Sequence, residues 1–323
     1  MKVLILGAGG MIGRKLASRI AADGCVGDRP VSELVLHDIA EPGALDASFE
    51  VTRLAGDLGN PEETQRLADI RADIIFHLAA IVSGEAEADF DKGWETNGRA
   101  TWRFLDAIRS AGSTPRLVFS SSIAVFGAPF PAAIPDDFFT TPMTSYGAQK
   151  AISELLITDY SRRGFLDGLS IRLPTICVRP GKPNLAASSF FSGIIREPLN
   201  GQEANLPVSD TVRHWFASPR AAVGFLLHAA TLDTALLKER RAITMPGLSC
   251  TVAEQIEALR QIAGEDAVKL IRYEPDEKIA AIVRNWPENF APERALQLGF
   301  RAETDFAELI RIYLEEDYRR PPP

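Results

Sequence analysis

The sequence predicts an α/β fold, a doubly wound parallel sheet followed by a smaller C-terminal lobe, on three observations. Short runs rich in Val, Ile and Leu alternate with longer helix-period segments through the first 180 residues, the pattern of a parallel sheet covered on both faces. The first run passes directly into a glycine-rich loop, Gly7-Ala8-Gly9-Gly10-Met11-Ile12-Gly13, that opens a helix. After Pro180 the alternation gives way to shorter elements, so the chain divides into a sheet domain over 1–180 and a lobe over 181–323.

Taken in order, the first run, Lys2-Val3-Leu4-Ile5-Leu6, stops at glycine and is too short for the core of a signal peptide, which makes it a buried strand. Further strands are expected at 33–38, 49–54, 73–78, 116–121 and 169–176, with helices at 11–23, 62–70, 88–112 and 145–164. The stretch from Ile123 to Thr144 holds Pro129, Pro131, Pro135 and Pro142 with little periodicity, the marks of a long loop, and long loops in such places are usually functional. In the lobe, helical periodicity runs near 186–197, 219–231, 252–264 and 304–317, and the tail Arg319-Arg320-Pro321-Pro322-Pro323 is expected to fray.

Composition narrows the function. With 323 residues, 46% hydrophobic and 24% charged, the chain has the makeup of a globular protein with a substantial core. A net charge of -8 argues against a general nucleic-acid or anionic-membrane binder and for small-molecule chemistry. Cys25, Cys177 and Cys250 lack metal-site spacing and read as small core residues, and the four histidines show no paired ligand spacing, so no metal is expected. No run approaches the roughly 20 apolar residues of a membrane span, which predicts a soluble, cytoplasmic protein.

The glycine loop is the first chemical signal. Glycines at 7, 10 and 13 let the backbone turn tightly and approach a pyrophosphate, while the helix start at Met11 and Ile12 supplies donors and positive potential. The spacing is G-x-x-G-x-x-G, not the strict G-x-G-x-x-G of a Rossmann fingerprint, but the strand before it and the helix after it suit a Rossmann-type dinucleotide site. The second strand ends in Asp38, where a carboxylate accepts from both adenosine ribose hydroxyls and repels a 2′-phosphate, favouring NAD. Arg14 leaves a phosphate partner available to NADP. Asp57 and Leu58 after the third strand, Leu78 and Ala79 after the fourth, and Leu173 at the sixth fall at strand ends suited to the same cofactor. Asp57 is alternatively a helix cap, and His77 reads better as a core histidine.

The strongest signal is Tyr146-Gly147-Ala148-Gln149-Lys150, preceded by Ser120-Ser121-Ser122 at the end of the fifth strand. One helical turn separates Tyr146 from Lys150 on a shared face. A free tyrosine ionises near pH 10, too high for a base at neutrality, and a neighbouring ammonium stabilises its phenolate. Lys150 therefore tunes Tyr146, while Ser122 orients the substrate oxygen.

Together these residues resemble the extended short-chain dehydrogenase/reductase family, which includes the sugar-nucleotide epimerases and dehydratases, over nearly the whole chain. The resemblance makes Ser122, within Ser120-Ser121-Ser122-Ile123-Ala124-Val125-Phe126-Gly127, the family serine. It makes Asn97, in Trp94-Glu95-Thr96-Asn97, the family's helix asparagine, a structural support near a relay water. It also implies a homodimer built from the helices near 88–112 and 145–164. The chain departs from the sugar-nucleotide members at Arg172-Leu173-Pro174-Thr175-Ile176, where Thr175 replaces their usual Asn. The stretches Arg172 to Gly181 and Arg213-His214-Trp215-Phe216 instead resemble the branch that oxidises the C2 hydroxyl of a four-carbon sugar acid, D-erythronate. For that acid, Arg179 and Arg213 are candidate carboxylate partners, and Ser83 and Thr175 candidate hydroxyl partners. Two alternatives stay open: an epimerase or dehydratase that retains its NAD, and a non-catalytic NAD-binding regulator.

Overall fold

The structure, a computed structural model, describes residues 1–181 and 187–318. The tail expected to fray, and residue 186 at the start of one expected helix, lie outside the described residues. The chain forms two compact units. The first comprises Met1–Val125, Pro142–Leu173 and Val223–Thr244; the second comprises the described parts of Phe126–Thr141, Pro174–Ala222 and Met245–Pro323. This division has more crossings than the single boundary at 180 read from the sequence, for two reasons. Ile134–Pro135, inside the long loop, pairs with Phe290–Ala291 in the second unit, and Ala242–Thr244 returns to the sheet of the first.

That sheet holds β1 (Lys2–Leu6), β2 (Glu33–Asp38), β3 (Glu50–Ala55), β4 (Ile74–His77), β5 (Arg116–Ser122), β6 (Asp167–Leu173) and β7 (Ala242–Thr244). All pair in parallel, in the order β7-β6-β5-β4-β1-β2-β3. The order reverses between β1 and β4, and in open sheets of this kind the crevice beyond the carboxyl ends at that switch point is where ligands bind. Val3 to Leu6 and Ile74 to His77 are buried on both faces, which is why β1 and β4 read as unbroken apolar runs. The accompanying helices include α1 (Met11–Asp23), α2 (Pro61–Asp69), α3 (Ser83–Ala88), α4 (Ala100–Ala111) and α5 (Ser145–Arg162).

Two departures have local causes. The strand expected over 169–176 ends at Leu173, since Pro174 has no N–H to continue the ladder; Thr175–Ile176 pairs instead with Phe216–Ala217 in the second unit. The single helix expected over 88–112 is segmented: Phe90–Gly93 is followed by a π-helical turn, Trp94–Arg99, before α4 begins. Such turns gather at functional sites, and this one contains Asn97.

In the second unit, Thr175–Ile176, Arg213–Ala217 and Leu248–Thr251 form a three-stranded sheet over a core that includes Phe191, Ile194, Phe216, Leu259 and Leu309. Thr251 and Glu254 close a capping box on the helix Val252–Ala263. Among the described residues no helix is long and apolar enough to cross a membrane, and no group of three His, Cys, Asp or Glu gathers as metal ligands would.

Candidate active site

At the carboxyl end of β1 the chain turns through Gly7 at φ +85, where a Cβ would stand 2.6 Å from the Ala79 nitrogen, so only glycine admits this turn beside the end of β4. The start of α1 is capped by Gly10 with no side-chain hydrogen bond, and its first turn carries no acidic residue. Donors and positive potential at this helix start are therefore left for a ligand, which fits a pyrophosphate. The Asp38 carboxylate, at the end of β2, accepts from the Gly9 N–H at 2.8 Å and from the Ile39 N–H at 2.7 Å. These bonds aim it at the loop while leaving lone pairs for ribose hydroxyls. Arg14 donates to the Gly9 carbonyl at 2.7 Å. The residues present thus fit a dinucleotide.

Leu78 donates its N–H to Leu6 and continues the β1–β4 pairing into Ala79, beside Gly7. Asp57 is exposed and accepts from the Gly59 N–H at 2.8 Å, while Leu58 buries its side chain in the core and offers only backbone to a ligand. Ser83 begins α3. His77 is a core residue: it meets Phe104 and Phe119 edge-on, its Nε2 is 3.2 Å from the Thr101 hydroxyl, and burial takes it down to about 3.

Ser122, Tyr146 and Lys150 come together at the ends of β5 and α5. Thr144 caps α5 by accepting from the Gly147 N–H at 3.1 Å, and Glu87 accepts from the Ser145 N–H at 3.0 Å, so Tyr146 sits in a helix start held by two side chains. A Cβ on Gly147 would come within 2.2 Å of the Ala124 carbonyl oxygen; glycine is what allows α5 this near the end of β5. The Ser122 hydroxyl accepts from the Ala124 N–H at 3.2 Å and draws the Tyr146 phenol downward. Across the sheet it stands in register with Leu173.

Burial pushes the Tyr146 phenol up to about 12, against the downward pull of Ser122. Lys150 is almost fully buried, donates to the Ser120 carbonyl at 2.8 Å, and lies over the rings of Phe119 and Tyr146 at 4.5 and 5.6 Å. Burial brings its ammonium down to about 7, with Glu154 opposing. Without a further positive charge nearby, the phenol is the favoured form of Tyr146.

Asn97 is occupied as a splint. Its side chain accepts from the Ile81 N–H at 2.9 Å and donates to the Ile81 carbonyl at 3.2 Å and to the buried Gln149 amide oxygen at 2.8 Å. Its main-chain carbonyl accepts from the Thr101 and Ser153 hydroxyls at 3.0 and 3.4 Å. The segment after β4 is thereby tied to the helix that carries Tyr146. Sequence reasoning missed Gln149, Glu154 and Arg172 as parts of this site. Glu154, four residues beyond Lys150, was legible as a same-face neighbour; Arg172, on β6, comes near only through the sheet.

The remaining substrate candidates lie in the second unit. Thr175 places its hydroxyl 2.7 Å from His214 Nε2, and the other ring nitrogen lies 3.0 Å from the Pro287 carbonyl oxygen. Stacked on Phe191 and buried, His214 is taken down to about 4. Arg213 pairs with Glu254 at 3.4 Å and donates to the Ser249 carbonyl at 3.2 Å. Burial lowers the Arg179 guanidinium from its usual range, and among the described residues no carboxylate pairs with it. Its backbone is anchored at both ends, the N–H donating to Ser192 at 3.1 Å and the carbonyl accepting from Arg196 at 2.7 Å.

Comparison with known proteins agrees with this geometry. Residues 3–231 match the model of the NAD dependent epimerase/dehydratase family. The chain is 46% identical to a D-erythronate dehydrogenase of Cupriavidus necator, covering 98% of each, and 43% identical to one of Haemophilus influenzae, covering 98% of this chain and 100% of that protein. The crystal structure of a nucleoside-diphosphate-sugar epimerase from Agrobacterium tumefaciens superposes with a TM-score of 0.95 at 57% identity, over 98% of this chain and 94% of that one. An L-threonine dehydrogenase from Cupriavidus necator shares the fold, with a TM-score of 0.84 at 23% identity over 98% of this chain and 100% of that one. With its glycine loop, its Ser122, Tyr146 and Lys150 cluster and these full-length relatives, the chain belongs to the NAD-dependent epimerase/dehydratase family.

Proposed function

We propose that the protein is an NAD-dependent dehydrogenase that oxidises the C2 hydroxyl of D-erythronate to 2-oxo-D-erythronate. The observation that carries this reading is the convergence of Ser122, Tyr146 and Lys150 at the strand ends that also present the glycine loop, in a chain 46% identical end to end to a D-erythronate dehydrogenase. Gly7, Gly10, Met11, Ile12, Gly13, Asp38, Asp57, Leu58, Leu78, Ala79 and Leu173 hold the cofactor, with Tyr146 and Lys150 at its nicotinamide ribose. Bound NAD in its oxidised form supplies a hydride acceptor and a positive charge that favours the phenolate.

The chain's own part follows from its hydrogen bonds. Ser122 already accepts from Ala124, so its O–H is left to donate to the substrate oxygen and set its direction. Tyr146, as phenolate, takes the proton from the C2 hydroxyl while the C2–H bond breaks. Lys150, held on the Ser120 carbonyl, supplies the ammonium that stabilises that phenolate. For the carboxylate, Arg179 is the better partner than Arg213, because Arg213 is already engaged by Glu254 and Ser249. Ser83 and Thr175 serve the remaining hydroxyls. Exposed Trp102 on α4 and Ile152 and Leu155 on α5 support a homodimer through those helices.

The likeness to the Agrobacterium nucleoside-diphosphate-sugar epimerase favours a second reading, sugar-nucleotide epimerisation with the hydride returned in each turnover. Purified protein given NAD and a panel of four-carbon sugar acids is expected to form NADH with D-erythronate, and to react more slowly with NADP in place of NAD. A UDP-sugar epimerised without net NADH, and no turnover of the acids, would move the assignment to the second reading.

A further inference from the structure

The last three residues of β5 each hold a different member of one face of α5. Ser122 acts on Tyr146, the Ser120 carbonyl accepts from Lys150, and the Ser121 hydroxyl donates to Glu154 at 2.5 Å. Tyr146, Lys150 and Glu154 follow one another at four-residue intervals, so they stack along that face. Glu154 and Arg172 are both buried. Arg172, on β6, grips the carboxylate with its Nε 3.0 and 3.2 Å from the two oxygens and its Nη2 2.8 Å from one of them.

An ion pair buried to this degree costs desolvation that its own attraction only partly offsets, so it is weak evidence of a purely stabilising role. What distinguishes this pair is its neighbour. Lys150 is also buried, and its close contacts are a carbonyl and two aromatic faces, which carry partial but no formal negative charge. A buried ammonium needs an anion. Among the described residues, the charged and titratable groups that face Lys150 are Tyr146 and Glu154 on its own helix and His77 on β4, with Arg172 of β6 beyond Glu154; β5 contributes uncharged serines and Phe119. Of these, Glu154 is the carboxylate.

We propose that Glu154 is the built-in counter-ion of Lys150, fixed in place by Arg172 and Ser121, and is a positioning residue that acts on Tyr146 through Lys150. The inference rests on the reading of Tyr146 and Lys150 given above. Burial and Glu154 act on Lys150 in opposite directions, burial toward the neutral amine and Glu154 toward the ammonium. Removing the carboxylate therefore discharges Lys150 at a lower pH, and Tyr146 loses its cationic neighbour over more of the working range.

The test uses the full chain with lysines carrying carbon-13 at Cε, the Lys150 resonance being assigned by its loss in Lys150→Arg. Its titration midpoint is read by NMR in the parent, in Glu154→Gln and in Glu154→Gln/Arg172→Met. The double variant removes both buried charges together, so no cation is stranded in the core and the protein folds even where Glu154→Gln alone does not. In Glu154→Gln the midpoint is expected to fall by about one pH unit, the scale of one lost opposite charge at close range, and in the double variant, which also removes the like charge of Arg172, to fall by less. The ascending limb of kcat/KM for D-erythronate oxidation is expected to move to higher pH in the same variants, and Glu154→Asp to restore both. A Lys150 midpoint equal to the parent's in either variant overturns the proposal. Because that midpoint needs no turnover, it decides the role of Glu154 even if D-erythronate proves not to be the substrate.

Discussion

Tyr146 carries the heaviest demand of any residue in the site, since its surroundings press it toward the neutral phenol while its proposed role needs the phenolate. That conflict makes the residue easy to test. Tyr146→Phe keeps the ring and removes only the hydroxyl, so turnover should fall by about 10²- to 10⁴-fold, the usual worth of a positioned proton acceptor. NADH affinity, measured by fluorescence titration, should stay close to the parent's. Turnover near the parental level would remove Tyr146 from the mechanism. The Tyr146 and Lys150 spacing was legible because a helix makes four-residue neighbours a matter of local geometry. The Arg172 fork on Glu154 was not, because it joins residues on different elements.

At the scale of elements, the site depends on how closely α5 approaches the end of β5. Gly147→Ala places a methyl where the Ala124 carbonyl oxygen already stands, and the atom it meets is backbone that cannot swing aside. Such overpacking costs about 1–3 kcal/mol. The variant should lose stability by that amount in urea denaturation and lose activity more than stability, as α5 moves off Ser122. An unchanged denaturation midpoint would mean that the helix tolerates the shift. The π-helical turn belongs to this scale as well. Apolar periodicity over 88–112 is continuous enough to predict one helix, and only the pull of Asn97 toward Ile81 and Gln149 gives the extra residue in the turn a purpose.

Across the whole molecule, buried titratable groups shape the response to pH. His77 and His214 are held at about 3 and about 4, below the roughly 6.5 of an unfolded chain. Below that pH the unfolded state binds protons that the native state refuses, so stability falls as pH drops from about 6.5 toward 4. Lys150 works on the alkaline side. At about 7 when folded, against an ordinary lysine's 10.5, it leaves the unfolded chain holding one more proton between those limits, and stability rises with pH across that window. Lys150→Met should flatten the rise in urea midpoint across the span from neutral pH to roughly one unit below the ordinary lysine value. An identical slope in parent and variant would show that other groups govern it.

Periodicity and local chemistry were sufficient for most of the sheet order's ingredients: five of the parallel strands, three of the helices between them, the glycine loop and the Ser122, Tyr146 and Lys150 cluster all rest on spacings within a few residues. The sixth expected strand was right in place and wrong in extent: Pro174 marks its end in the sequence, while the pairing of Thr175–Ile176 with Phe216–Ala217 is decided across the fold. Tertiary structure alone decided that Ala242–Thr244 joins the sheet edge, that the long loop pairs with Phe290–Ala291, and that Arg213 is engaged by Glu254 while Arg179 meets no carboxylate among the described residues. Those outcomes turn on which distant segments meet, and a side chain's partner across the fold leaves no trace in the residues beside it.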